Sequence, residues 1–238
     1  MDLPFDRSSR RRLYLMRHAE AEYIRSDGSR APDSKLVPLT SRGREEAKLM
    51  SDALEDIPFD KAICSGLRRT RETASIVLRD RKLSLQIMPE LEEIQGGDPI
   101  ARANISPVDY AYAMFRASEP DACYASGERF SEFSSRVITA FDNILDQDDW
   151  SCLLLVAHGG VNRSILSSIA CGGLASFGSF EQDSACLNVI DIDRCRDTGA
   201  ILRRILRGVN ITCDDPFKTG RKLTSMEGFA KRLTGIGR

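Results

Sequence analysis

Histidine is nearly missing from this chain, with two residues in 238, and tryptophan occurs once. No apolar stretch reaches the roughly 18 residues that a membrane-spanning helix requires. Charge of one sign is not in excess either. Lys and Arg number 34 against 35 Asp and Glu, for a net charge of −1. A general nucleic-acid binder carries a basic surplus, so neither nucleic acid nor membrane is an expected partner. The seven cysteines form no C-x-x-C pair. With so few histidines, a structural or catalytic zinc site is poorly supplied, and no cofactor is expected. Cys64, Cys152 and Cys186 lie in apolar runs, where a free thiol behaves as a small hydrophobe. That usage fits a reducing compartment and hence the cytoplasm. The N-terminal MDLPFDRSSRRR is basic but has no apolar core, so it does not read as a signal peptide. Arg10, Arg11 and Arg12 read as a solvated arm ahead of the first strand.

What remains is an ordinary globular composition, 42% hydrophobic and 29% charged, which can bury a large core. The length fits one domain over 1–238. Residues 13–17, LYLMR, form a short apolar run typical of a buried strand. Residues 19–38 read as a long loop. Thr40 is placed to cap a helix whose Ala47, Met50, Ala53 and Leu54 share one face. A strand over 60–64, a helix over 67–79 and a weak strand over 83–88 follow. Residues 94–126 are irregular and rich in Gly and Pro, with a short helix carrying Tyr110, Tyr112, Met114 and Phe115. Phe130, Phe133, Val137, Phe141, Ile144 and Leu145 mark a clean amphipathic helix. The run CLLLVA (152–157) suits a strand buried on both faces, and a helix carrying Val161, Ile165, Leu166 and Ile169 follows it. Residues 186–192 and 200–206 flank a turn and pair as a hairpin. Alternating strands and helices predict an α/β fold, with a mostly parallel central sheet and helices on both faces.

Both histidines end strands. His18 follows Arg17 at the close of the first, and His158 follows the long apolar run and opens a helix with Gly159 and Gly160. Ser65, Gly66, Leu67, Arg68 and Arg69 turn another strand into a helix. Sites in such sheets lie at the carboxyl ends of strands, and helix N-termini there attract anions. Arginines and helix N-termini at one sheet edge predict a phosphate as guest. A histidine among such cations is held neutral, and a neutral imidazole is a nucleophile toward phosphorus. The leaving alkoxide then needs a nearby carboxylic acid. Either histidine alone would pass as structural, but both occupy the same topological position.

At these residues the sequence resembles the histidine phosphatase, or phosphoglycerate-mutase-like, superfamily. Its Arg-His-Gly/Ala signature is matched by Arg17-His18-Ala19. Its helix-opening L-T-x-x-G-x-x-x-A is matched by Leu39, Thr40, Gly43 and Ala47, and its S-x-L-x-R-x-x-x-T by Ser65, Leu67, Arg69 and Thr73. Leu91, Glu92, Glu93 and Ile94 match L-x-E-x, Gly127-Glu128 matches a Gly-Glu before the long helix, and 156–160 (VAHGG) matches the second histidine motif. The matches run in order from residue 13 to about 170.

The resemblance implies a three-layer sandwich with an insertion lid over 94–126 and a C-terminal tail over 210–238. It implies that His18 is the nucleophile of a phosphohistidine intermediate. Arg17, Arg69 and His158 bind the phosphoryl group, His158 as a cation beside the dianion, and the N–H of Gly159 adds a contact. Glu93, not Glu92, donates the proton, and Arg69, not Arg68, is the phosphate ligand. No metal is needed, and a homodimer is the family default. Arg102, Tyr110, Tyr112, Phe115 and Arg116 of the insertion are candidates to face the substrate.

The chain departs from the mutases at two positions. They carry Ser or Thr three residues after the nucleophile and Asn six after; here Ala21 and Ile24 stand there. The expectation is therefore a phosphatase for a small phosphomonoester. The alternatives are a phosphohistidine-protein phosphatase, favoured by the Ala19/Ala21 pattern, then a phosphoglycerate mutase, then a non-catalytic phosphate-binding scaffold. Only a catalyst has use for an acid aimed at a leaving group.

Overall fold

In a computed structural model that describes residues 7–25 and 27–234, residues 13–16 lie at the centre of a six-stranded sheet. In chain order the elements are β1 (Ser8–Arg17), α1 (Ser41–Ala53), β2 (Lys61–Cys64), α2 (Arg68–Leu78), β3 (Leu85–Ile87), α3 (Pro99–Ala103) and α4 (Pro107–Tyr112). Then come α5 (Phe130–Asp146), β4 (Cys152–Ala157), α6 (Gly159–Ile169), β5 (Leu187–Cys195), β6 (Ile201–Ile211) and α7 (Ser225–Thr234). The strand order is β3-β2-β4-β1-β5-β6. The first four strands run parallel; β5 and β6 join antiparallel, β5 against β1 and β6 against β5. The fold is the expected α/β sandwich with a mostly parallel sheet.

Strand pleating explains why the central runs are apolar throughout. Successive side chains point to opposite faces. On one face Leu13, Leu15, Ile63, Leu153, Leu155 and Ala157 pack against Phe133, Val137 and Phe141 of α5 and Val161 and Ile165 of α6. On the other, Tyr14, Met16, Ala62, Cys64, Leu154 and Val156 pack against Ala47 and Met50 of α1 and Ala74 and Val77 of α2. Both faces are covered, so neither can be polar.

The arginine run corrects the expectation of a solvated arm. β1 begins at Ser8, and Arg10 and Arg12 sit directly opposite Asp193 and Asp191 on β5. Their Nε atoms donate to those carboxylates at 2.7 Å each. Both aspartates are fully buried and are shared with Arg203 and Arg207 of β6. Directly opposed charge pairs of this kind support a ladder, so the strand extends where a hydrophobicity pattern ends. Residues 1–6, the rest of the proposed arm, lie outside the described residues.

The insertion holds two short helices rather than one. Pro99 and Pro107 each occupy a first turn, capped by the side chains of Asp98 and Ser106. Proline is favoured at that position because its missing N–H would be unpaired there anyway. The C-terminal stretch is also more ordered than a tail. β6 runs to Ile211, and α7 packs against α4. Among the described residues no helix is long and apolar enough to cross a membrane, and all seven cysteines are free.

Candidate active site

The carboxyl ends of β1, β2 and β4 bring the two histidine motifs together: the rings of His18 and His158 stand 5.3 Å apart between centroids, nearly edge to face. Both side chains are buried, at 2% and 0% exposure. His18 Nδ1 lies 2.7 Å from the carbonyl oxygen of Ala19. A carbonyl only accepts, so Nδ1 carries the proton and Nε2 keeps its lone pair. Burial, then the charges of Arg69 and Arg17, push the His18 pKa well below the usual histidine range. Burial, then Arg69, His18 and Arg17, do the same at His158. Both pKa shifts favour neutral rings, and His18 Nε2 keeps a lone pair that faces the Tyr23 hydroxyl at 3.4 Å.

Other signature residues shape the backbone around this nitrogen. Thr73 accepts the N–H of Ala19 at 3.1 Å and donates to the carbonyl of Arg69. It thus ties the loop after His18 to α2. Thr40 caps α1 by accepting from Gly43 N–H at 2.9 Å. Gly43 allows a very close approach: a Cβ there would fall 2.1 Å from the backbone oxygen of Glu20. The L-T-x-x-G motif is therefore a seat for the loop that follows His18.

The cationic wall has three arginines. Arg17 donates to the carbonyl of Gln182 at 2.5 Å. Arg69, 3% exposed, donates to the carbonyl of Ser34 at 2.8 Å, and its Nη2 lies 3.3 Å from His158 Nδ1. Arg163, also 3% exposed, pairs with Glu181 at 2.9 Å. The buried Nε atoms of all three lack a hydrogen-bond partner. Arg17 and Arg163 converge on the first residue of α6: a Cβ on Gly159 would lie 3.3 Å from Arg163 Nη1 and 3.6 Å from Arg17 Nε. Gly159 opens that helix, so its own N–H has no intrahelical partner. Unpaired guanidinium N–H groups and a helix N-terminus around a neutral histidine make an anion site.

Glu93 lies against the same helix start. Its Oε2 accepts from Gly160 N–H at 3.0 Å and its Oε1 from Ile94 N–H at 3.0 Å. Glu92 points away and pairs with Lys35. Arg68 likewise turns outward onto Glu72, leaving Arg69 inside. The structure thus separates both neighbouring pairs as expected, and brings Arg17, His18, Arg69, Glu93, His158 and Gly159 together. Of the insertion candidates, Tyr110 is buried beside the site loop, where its hydroxyl accepts from Arg30 at 3.2 Å. Tyr112 and Phe115 are exposed, and Arg116 pairs on the surface with Asp109. Phe115 and Arg116 lie in the turns after α4, which ends at Tyr112.

Sequence reasoning missed Arg163, although it stands four residues after Gly159 on one helix face, a spacing that puts both at the same end. It also missed Tyr23. The Tyr23 hydroxyl lies 3.4 Å from His18 Nε2, its ring lies under the Arg69 guanidinium, and its edge meets Phe229 of α7. Phe229 also meets Tyr110, so α4, α7 and the loop after β1 pack together beside His18.

Comparison with known proteins identifies a family and relatives. A family model described as the histidine phosphatase superfamily (branch 1) matches residues 13–203. An adenosylcobalamin/alpha-ribazole phosphatase from Salmonella typhimurium is 33% identical over 186 residues, 76% of this chain and 90% of the relative. The Escherichia coli protein of the same name is 31% identical over 201 residues, 83% and 98% respectively. The crystal structure of the alpha-ribazole phosphatase from Shigella flexneri superposes with a TM-score of 0.68 at 30% identity, covering 84% of this chain and 96% of that one.

Proposed function

The chain belongs to the histidine phosphatase superfamily, branch 1, and on that footing we propose that it is a metal-independent phosphatase of a small phosphomonoester. One observation carries the reading: Arg17, Arg69 and Arg163 each leave a buried, unpaired Nε atom, Arg69 and Arg17 act on neutral His18, and Arg17 and Arg163 meet at the N-terminus of α6.

In this reaction His18 Nε2 attacks phosphorus in line as the P–O ester bond breaks. Glu93 gives a proton to the leaving oxygen. Arg17, Arg69, Arg163 and the N–H of Gly159 hold the equatorial oxygens, so positioning and charge stabilisation supply the catalysis. His158 takes up a proton beside the dianion. Water then attacks the phosphohistidine, Glu93 accepts its proton, the N–P bond breaks, and phosphate leaves.

The enclosure supports a small ester over a histidine on a folded carrier, since both histidine rings are buried and Tyr23, which packs on Phe229 of α7, lies against His18. The names of the relatives make alpha-ribazole 5′-phosphate the first ester to assay. The test is a panel with chelator present: p-nitrophenyl phosphate, alpha-ribazole 5′-phosphate, phosphoglycerates and a histidine-phosphorylated carrier. Turnover of a small ester that vanishes in His18→Ala is the expected result. Wild-type rates in that variant would remove the mechanism. A faster reaction on the phosphorylated carrier, or phosphate transfer between hydroxyls instead of to water, would remove the substrate class.

A further inference from the structure

Resemblance to the mutases would put Ser or Thr at position 21 and Asn at position 24, and this chain has Ala21 and Ile24. Neither offers a side-chain hydrogen bond to a phosphoryl oxygen. Their main chains are spent on the loop itself: Ala21 bridges to Leu39 and Ile24 to Arg30. The residue just before Ile24 is Tyr23, whose hydroxyl approaches the nucleophilic nitrogen at 3.4 Å. Reacting atoms in a productive complex stand about 3–3.5 Å apart. The phenol oxygen therefore occupies the space into which the phosphoryl group must come.

Resting on the phosphatase reading above, we propose that Tyr23 is a further substrate-binding residue of this site: its hydroxyl donates to an equatorial phosphoryl oxygen the hydrogen bond that the side chains of Ala21 and Ile24 are unable to give. The geometry around the ring is suited to that role. The Arg69 guanidinium lies 5.4 Å from the ring centroid, and Phe229 meets the ring from α7 at 6.5 Å between centroids. Held on these sides, the ring keeps its place while a small pivot moves the hydroxyl from the Nε2 lone pair to an incoming oxygen. Burial, the largest influence, raises the phenol's pKa above its ordinary value, against the opposing charges of Arg69 and Arg17. The group is thus a donor throughout the neutral range. The loop also fixes the register, because Ala31 N–H donates to the carbonyl of Tyr23 at 2.9 Å.

Tyr23→Phe isolates the hydroxyl, since the phenyl ring keeps its place against Arg69 and Phe229. Steady-state kinetics on p-nitrophenyl phosphate are read together with inhibition by orthovanadate, which mimics the five-coordinate phosphorus. A donor to a charged oxygen is worth roughly ten- to a hundredfold. The expected result is a loss of that size in kcat/KM, a parallel rise in the vanadate inhibition constant, and an unchanged thermal midpoint. A rate equal to or above wild type would show that the hydroxyl only covers His18, and would overturn the proposal. A lower rate with unchanged vanadate inhibition would overturn it too, because the hydroxyl would then act away from the phosphoryl oxygens. Activity surviving in His18→Ala would instead strike the phosphatase reading itself, so the two failures are distinct.

Discussion

His158 Nδ1 faces Arg69 Nη2 at 3.3 Å while its Nε2 lies 2.7 Å from Ser65 Oγ. A guanidinium only donates, so Nδ1 accepts and Nε2 carries the proton toward the serine. The relay continues from Ser65 to Thr70 at 3.0 Å and from Thr70 to the carbonyl of Leu67 at 2.8 Å. Ser65 can accept from Nε2 whether the imidazole is neutral or cationic. The Ser65 bond therefore survives when His158 gains a proton at Nδ1 beside a dianion, while Arg69 Nη2, which can no longer donate to Nδ1, must turn to the anion.

Ser65→Ala should expose what this relay does. The buried Nε2–H is left without its acceptor in the relay, and an unsatisfied buried donor costs about 1–3 kcal/mol. Urea denaturation should show a loss of that order. Binding of inorganic phosphate, followed by calorimetry, should weaken by about tenfold, because the ring is no longer fixed toward the anion. Unchanged phosphate affinity would leave Ser65 a purely structural partner.

The two buried histidines should also govern stability in mild acid. Both have folded-state pKa values pushed well below 6.5, by burial first and then by neighbouring cations. In the unfolded chain both titrate near 6.5. Between about pH 6.5 and their folded values the unfolded state binds more protons, so stability falls as pH falls. The slope should grow from about one proton per molecule near pH 6.5 toward two as pH falls below it, where unfolded carboxylates are still mostly ionised. Urea midpoints across that range measure it. His158→Gln should bring the slope toward one proton, and saturating phosphate should flatten it by favouring charged His158. A flat profile in the unliganded protein would contradict the neutral pair.

Much of this arrangement was legible because the motif residues stand at strand ends, which the sheet gathers at one edge. Arg17, His18, Arg69, Glu93 and His158 were each placed by motif spacing, and the sheet brings their loops to one edge. The separation of Arg69 from Arg68 and of Glu93 from Glu92 was legible for the same reason. What was hidden has physical causes. The start of β1 is stabilised by cross-strand ion pairs to Asp191 and Asp193, which hydrophobic alternation cannot register. Tyr23 and Phe229 meet only through tertiary packing between opposite ends of the chain, and nothing local in either segment announces the contact. The helical order of 225–234 depends on that docking and on Glu181, whose Oε1 accepts the N–H of Ser225 at 2.9 Å.

Arg163 should behave as a phosphate ligand rather than a structural cation. Its partner Glu181 is 28% exposed and holds Ser225 N–H with its other oxygen, so it keeps solvent and one donor when the arginine is removed. Arg163→Met preserves much of the buried stem. Folding should therefore survive, while kcat/KM for a phosphomonoester falls by roughly ten- to a hundredfold through the loss of a charged donor. Kinetics alongside circular dichroism would check it. A variant that folds and turns over at the wild-type rate would confine Arg163 to its ion pair.

Gly160→Ala offers a test of Glu93 that leaves the carboxylate in place. A Cβ at position 160 would fall 2.4 Å from Glu93 Oε1 and 3.2 Å from Phe133 Cζ. Phe133 is fully buried in the core and cannot withdraw. The strain must be relieved by moving Glu93 away from the start of α6, with its hydrogen bond to Gly160 N–H broken. If Glu93 protonates the leaving oxygen, its displacement harms esters whose alkoxide needs a proton. It spares those whose leaving group departs unaided. The expected outcome is a large loss on an alkyl phosphate and a small one on p-nitrophenyl phosphate, with inorganic phosphate affinity little changed, since the arginines are untouched. Equal losses on both esters would mean that the displaced carboxylate was not acting as the acid.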